Sequence, residues 1–361
     1  MEDFQVSKFF TVKSYKKNYK VVFDNHGIEK INDTLSPYHF YIIDKKIAEL
    51  YVNELKDILG SKNLIIIEAK EENKVLEKIP EYILKLSQMG IRRDCQLVAI
   101  GGGIIQDITC FISSILMRGI RWVFYPTTLL AQSDSCIGSK SSINLINVKN
   151  LVGTFNPPDE IIIDINFLNT LDNVDIFSGI GEMLKVHAIK GKESFERISK
   201  HYSNIIQNPQ VMSEFIRDSL LIKKEIIELD EFDENLRNVM NYGHSFGHAI
   251  ESATNFSIPH GIAVTIGMDL ANYVAYELNV TSKETFLRMH EVFKINFSAY
   301  RQTIISPLDI FASLKKDKKN TTNKLKLILP NKQDEIRIGL YDNLKAIEKN
   351  IGKYLTDYFA I

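Results

Sequence analysis

Very few residues of the kinds that mark an unusual protein occur in this sequence. Only three cysteines, Cys95, Cys110 and Cys136, occur in 361 residues, with no CxxC pair. That odd, scattered set excludes a disulfide framework and a thiolate zinc finger. With one tryptophan, nine prolines and 18 glycines, the chain has no fibrous or low-complexity bias. No apolar run approaches the roughly 18 residues that a membrane helix needs, so no membrane partner is read. The opening Met1-Glu-Asp-Phe-Gln has no basic region followed by an apolar core, and so is not a secretory leader. Excess charge is also missing: 44 Lys plus Arg stand against 45 Asp plus Glu, a net charge of -1. That balance argues against nucleic acid or an anionic lipid surface as partner. The expectation is a reducing, cytoplasmic compartment.

What is present is a globular composition, 45% hydrophobic and 25% charged, in a chain long enough for two domains. The two halves read differently. His39–Ile43, Asn63–Ile67, Gln96–Ile100, Arg121–Tyr125 and Glu160–Ile163 are short, nearly continuous apolar runs separated by helical stretches. Such strands predict a parallel sheet covered on both faces, with a hairpin over Thr11–Val22 at its edge. From about Val174 the apolar spacing turns to 3.6. Helices are predicted over Ser178–Lys190, Val211–Leu229, Arg237–Thr254, His260–Leu278 and Ser282–Phe293. A short apolar run, Lys324–Leu329, can add a strand. The fold class expected is therefore α/β plus α: a Rossmann-like parallel-sheet domain over 1–174, then an all-helical, metal-binding domain over 175–361.

The strand ending at Ile100 runs into Gly101-Gly102-Gly103 and then a helical pattern. Glycines let a ligand approach the backbone, and a helix start offers free N–H groups to a pyrophosphate. Asp107 lies one turn further on. A tight strand–helix turn is the plainer alternative. Asp44 ends a strand, where a carboxylate suits an adenosine ribose or caps a helix. Thr127 and Thr128 follow Pro126 with hydroxyls fit for caps or cofactor contacts.

His244 and His248 are four apart in a helical stretch and share one face. His260 follows Pro259, and Glu182 lies three before Lys185 on another helix. One glutamate with two or three histidines makes an open catalytic zinc site; spacing leaves open which histidines bind. The other histidines, His26, His39, His187, His201 and His290, lack such partners and read as structural or surface. Lys140 and Lys149, set among apolar and glycine-rich residues, favour anion binding. Lys223, Arg237, Lys318 and Lys319 add cations suited to a phosphate and a carboxylate. The lysine tract around 315–319 reads, by itself, as a solvated charge run.

Taken together, Gly101-Gly-Gly-Ile-Ile-Gln-Asp107, Met117-Arg118-Gly119, Pro126-Thr-Thr-Leu-Leu-Ala-Gln-Ser-Asp134, Lys149-Asn150-Leu-Val-Gly, Ser178-Gly-Ile-Gly-Glu182-Met-Leu-Lys185, Arg237-Asn-Val-Met-Asn241-Tyr-Gly-His244-Ser-Phe-Gly-His248 and Pro259-His260-Gly261 resemble the 3-dehydroquinate synthases of the sugar phosphate cyclase superfamily. The resemblance spans roughly residues 40 to 330. It implies an NAD-binding domain, a helical metal domain and an active site between them. By motif position it implies Glu182, His244 and His260 as ligands of zinc, with cobalt as a substitute. His248 is implied near the phosphate and the proton transfers, with Asp134, Lys140, Asn150, Lys185 and Asn241 as substrate-contacting residues. Lys223 and Arg237 are implied to hold the substrate carboxylate, and Lys319, or Lys318 if the register slips, its phosphate. Arg118 is implied to reach a neighbouring subunit's site, which implies a homodimer. Asp44, Glu71, Lys74, Gly102, Gly103, Asp107, Thr127, Thr128 and Lys149 are implied cofactor contacts.

The reaction implied oxidises a ring alcohol of a small phosphorylated sugar acid with NAD, eliminates phosphate, returns the hydride, opens the ring and closes a carbocycle by aldol addition. The chain departs from the family pattern at Gln106 and Ser139, where glycines are usual, and at Ile262, where glutamate is usual. The departures leave other cyclases, such as amino-dehydroquinate, valiolone-type or scyllo-inosose-type enzymes, as alternatives. A glycerol-type metal-dependent alcohol dehydrogenase shares the layout, but a small neutral alcohol needs no such collection of cations. A degenerate, non-enzymatic homologue would have lost ligands that are intact here. Lys223 and Arg237, useless to a substrate without a carboxylate, favour 3-deoxy-D-arabino-heptulosonate 7-phosphate.

Overall fold

In a computed structural model of the protein, residues 9–146, 148–316 and 324–360 are described. The chain forms two compact units, Met1–Leu171 with Lys223–Phe232, and Asp172–Ile222 with Asp233–Ile361.

The first unit is built on strands β1 (Phe9–Val12), β2 (Tyr19–Phe23), β3 (His39–Asp44), β4 (Leu64–Ile67), β5 (Gln96–Gly101) and β6 (Arg121–Pro126), followed by a separate hairpin, β7 (Ile143–Leu145) and β8 (Val148–Val152), and then β9 (Glu160–Ile163). Seven of these form one sheet in the order β1-β2-β9-β6-β5-β3-β4. All pairings are parallel except β1 with β2, the expected edge hairpin. Phe40–Ile43 and Leu97–Gly101 are buried without interruption, as strands covered on both faces must be. Helices α1 (Lys45–Leu50), α2 (Lys56–Leu59), α3 (Ile79–Gln88) and α4 (Gly103–Ile115) connect them. β4 lies on one side of β3 and β5 on the other. Their carboxyl ends therefore border a topological switch point, where doubly wound sheets bind ligands.

The second unit contains α5 (Asn173–Lys190), α6 (Lys192–Gln207) and α7 (Pro209–Leu229), of which the residues from Lys223 group with the first unit. A 3₁₀ turn (Leu236–Asn241), α8 (His244–Ala253), α9 (His260–Glu277), α10 (Lys283–Asn296), α11 (Pro307–Lys316) and α12 (Leu344–Tyr354) follow. Helix α9 buries 15 of its 18 residues and is the axis of the unit. No described helix is long and apolar enough to cross a membrane.

Two expectations need correction. The second unit is not wholly helical, because β10 (Leu325–Pro330) and β11 (Ile336–Tyr341) pair as an antiparallel hairpin. β11 buries only Ile336, so its sequence carries little strand signal. The stretch 237–254 is not one helix either. It breaks at Gly243, whose φ of +77° is left-handed, and α8 starts afresh at His244.

His187 on α5 is buried, with Nδ1 2.8 Å from Ser194 Oγ and Nε2 without a hydrogen-bond partner among the described residues. Burial pushes its imidazole down to about 4 from the usual 6.5. The fold accommodates the neutral ring, so this contribution is intact above pH 6.5 and is lost as pH falls from there through 4, reaching roughly 3 kcal/mol. Urea unfolding across that window should show a flatter pH dependence for His187→Gln than for the parent, and equal slopes would refute the assignment.

Candidate active site and metal centre

Two glycines set the geometry of the helical unit's site. A Cβ on Gly261 would overlap the Ser178 carbonyl oxygen, and one on Gly181 would overlap that of Gly261. Backbones of α5 and α9 are thus in direct contact. Glu182 follows Gly181 and His260 precedes Gly261, so the contact carries both side chains to the same place. Glu182 and Lys185 are 1% and 3% exposed, and Lys185 Nζ forms an ion pair with Glu182 Oε2. The other oxygen, Oε1, lies 3.7 Å from His244 Nε2 and 3.6 Å from His260 Nε2.

The remaining ring nitrogens are already committed. His244 Nδ1 lies 3.2 Å from the Tyr242 carbonyl, and His260 Nδ1 3.2 Å from Glu251 Oε1. These contacts turn both Nε2 atoms toward Glu182. Burial, then the Lys185 charge and the neighbouring imidazoles, hold His244 well below its usual pKa. Burial would also lower His260, but the Glu251 hydrogen bond and the Glu182 charge outweigh it and raise that ring. His248 is more exposed, its ring 5.4 Å from that of His244 and stacked 5.7 Å from that of His260. One nitrogen from each of the three histidines falls within 4.8 Å of the others.

A tetrahedral ion with bonds of about 2.1 Å places its ligands about 3.4 Å apart. The Glu182–imidazole separations are close to that, and a neutral, low-pKa imidazole beside a buried carboxylate is a suitable donor set. The residues present fit a divalent cation. Glu251 was not singled out in the sequence, although it stands seven residues after His244 on the same helix face. It supplies what Ile262, at a position where glutamate is usual, does not: a carboxylate behind the His260 imidazole.

The first unit gathers the residues that the sequence resemblance implies as cofactor contacts around the carboxyl edge of its sheet. Asp44 ends β3 and caps α1 by accepting from Lys46 N. Gly102 is the N-cap of α4 and faces Thr128, whose methyl a Cβ there would touch at 3.0 Å; Gly103 is the first residue of the helix. Thr127 N donates to the Gly101 carbonyl, and Thr128 Oγ1 accepts from Ala131 N. Lys74 Nζ lies 3.0 Å from Asp107 Oδ2, 3.2 Å from Asn150 Oδ1 and 3.9 Å from Glu71 Oε1. Burial pushes the Asp107 carboxyl up to about 6 against the pull of Lys74. Asn144, which the sequence reading passed over, joins this group by donating to Glu71 Oε2 and accepting from Asn150 N. Gln106 does not crowd the glycine loop: it is buried, donating to the Ser135 carbonyl and accepting from Ser135 Oγ.

A π-helical turn, Ala131–Ser135, presents Asp134. Lys223 Nζ lies 2.6 Å from Asp134 Oδ1 and 2.6 Å from its carbonyl oxygen. Lys140 Nζ sits 5.9 Å over the Phe155 ring. Ser139 has φ +57°, a left-handed conformation costing an L-residue about 1 kcal/mol. That explains why glycine suits the position. In the second unit Arg237 is buried, and Asn241 Nδ2 donates to the Asn238 carbonyl. Arg118 is exposed at φ +66° and Lys149 is exposed on β8. Lys318 and Lys319 lie outside the described residues.

Solved structures with this fold define the class. A 2-epi-5-epi-valiolone synthase from Streptomyces hygroscopicus, with NAD+ and Zn2+ bound, is 26% identical at a TM-score of 0.83, covering 95% of this chain and 99% of that one. A 2-deoxy-scyllo-inosose synthase in complex with carbaglucose-6-phosphate, NAD+ and Co2+ is 21% identical at a TM-score of 0.80, with the same coverage. An iron-containing alcohol dehydrogenase from Thermotoga maritima follows at 0.63 and 14%. The class is that of the sugar phosphate cyclases. Residues 64–178 match the 3-dehydroquinate synthase N-terminal family and 179–320 the C-terminal family. The 3-dehydroquinate synthase of Dictyoglomus thermophilum is 36% identical over 95% of this chain and 92% of its own length, and that of Dictyoglomus turgidum 38% over 88% of each. The chain belongs to the 3-dehydroquinate synthase family.

Replacing Glu182 or His260 by alanine should each abolish metal retention, read by elemental analysis of purified protein. Glu251→Ala should weaken affinity by about 10- to 100-fold. A metal-replete Glu182→Ala/His260→Ala double variant would overturn the ligand assignment.

Proposed function

We propose that the protein converts 3-deoxy-D-arabino-heptulosonate 7-phosphate to 3-dehydroquinate with loss of phosphate, a redox-neutral cyclisation in the shikimate pathway. The observation that carries the reading is the convergence of Glu182, Lys185, His244, His248 and His260 on one small volume in a chain of this family. Glu182, His244 and His260 would hold the cation, zinc by preference and cobalt as a substitute, and the Asp44, Glu71, Lys74, Gly102, Gly103, Asp107, Thr127, Thr128 and Lys149 positions would hold NAD. When bound, NAD supplies reversible hydride transfer and the cation acidifies a ring alcohol.

The chain's own residues supply binding, orientation and proton handling. Lys185 neutralises one oxygen of Glu182 and thereby fixes where the other points. His248, the most exposed imidazole of the three, is available to the substrate phosphate and to the proton lost at the adjacent carbon during elimination. Arg237 offers a buried guanidinium for the carboxylate, with Lys223 as its partner cation. Asp134, Lys140, Asn150 and Asn241 orient hydroxyls, and Lys319 reaches the phosphate. Arg118, on an exposed left-handed turn with Met117 (φ +50°) and Gly119 (φ +115°), serves the neighbouring site of a homodimer in a cytoplasmic enzyme.

Phosphate release, assayed with catalytic NAD and zinc, should occur with the heptulosonate 7-phosphate but not with sedoheptulose 7-phosphate or glucose 6-phosphate, and without net NADH. Release from a neutral sugar phosphate would move the protein to another cyclase reaction. Arg237→Ala should raise KM for the heptulosonate by about 10- to 100-fold, and an unchanged KM would remove Arg237 from carboxylate binding.

A further inference from the structure

The turn before Lys140 is anchored in a way that a glycine at 139 would not allow. Glu231 Oε1 accepts from Ser139 Oγ and from Ser14 Oγ, both at 2.7 Å, and Oε2 accepts from the Tyr15 amide at 2.8 Å. One carboxylate therefore joins three stretches of the first unit: the β1–β2 loop, the Lys140 turn, and the segment Lys223–Phe232. Two further bonds fix the turn itself. Tyr19 Oη accepts from Gly138 N at 3.0 Å, and the Ser139 carbonyl accepts from Asn156 N at 2.7 Å. Glu231 ties that turn to the stretch carrying Lys223. Phe232 reinforces the tie, its ring 5.0 Å from those of Tyr15 and Phe155, the latter lying under Lys140.

We infer that Glu231 is a positioning residue which, through the Ser139 hydroxyl, holds the Lys140 backbone in register with Lys223. The inference rests on the reading that Lys140 and Lys223 meet the substrate. A charged acceptor makes this a strong hydrogen bond, and small displacements of substrate-binding groups are costly to binding and turnover. The hydroxyl thus serves a purpose at a position where glycine would meet the backbone's needs alone.

The test compares Ser139→Gly, Glu231→Gln and the double variant, with Ser139→Ala as a second probe of the hydroxyl. Ser139→Gly suits φ +57° and should fold normally. It should still raise KM for the heptulosonate about threefold to tenfold, with kcat changed less than about twofold and NAD affinity, read by protein fluorescence, unchanged. Glu231→Gln should show the same split, and the double variant should be no worse than the worse single. A structural role alone would lower the melting temperature and leave KM untouched. Parental KM in both Ser139→Gly and Glu231→Gln, with Lys140→Ala severely impaired, would overturn the inference while sparing the reading beneath it. Parental kinetics in Lys140→Ala would overturn that reading and the inference with it.

Discussion

The helical unit depends on one buried carboxylate. A charge as enclosed as Glu182 is tolerable only when paired, and removing one partner of such a pair costs about 3–5 kcal/mol. Lys185 supplies the pairing from the next turn of the same helix. The pair consumes one oxygen and leaves the other facing two imidazoles whose outer nitrogens are tied down by Tyr242 and Glu251. Each of these constraints fixes an orientation. Together they create a donor set that is arranged before any ligand arrives, the condition under which electrostatic catalysis is most effective.

The sheet unit solves a parallel problem with opposite means. Its cationic centre is Lys74, buried and surrounded by acceptors from Asp107 and Asn150, with Asn144 bracing Glu71 and Asn150 from the β7–β8 hairpin. The acceptors are themselves held by backbone donors, such as Ser142 N on Asp107 Oδ1. In both units a buried charge is held in place by partners that are themselves fixed by further hydrogen bonds.

Much of this was legible in the sequence because its signals are strong and local. Five apolar runs are five strands of the sheet, and Gly101-Gly-Gly marks a strand–helix turn at the carboxyl edge. Histidines four apart on α8 do share a face. What escaped notice is non-local or contrary to pattern. Nothing near Glu251 announces that it will meet His260, since the encounter depends on how α8 and α9 pack. Gln106 stands out in the sequence as a departure from glycine, but nothing local shows that its side chain turns to Ser135, 29 residues away. The run Lys324–Leu329 is a strand as expected, but its partner β11 and the break at Gly243 were missed, because a half-exposed strand and a single left-handed residue leave little trace in periodicity.

The backbone contact between α5 and α9 fixes the spacing of the two helices that carry Glu182 and His260. Glu182 and His260 ride on two main chains with no side chain between them, and α9 is enclosed along nearly its whole length. Those main chains separate only when the helices do, which requires opening a large part of the unit's core at once. Adding a side chain at Gly181 or Gly261 would therefore disturb the spacing of two whole helices and not the rotamer of one residue.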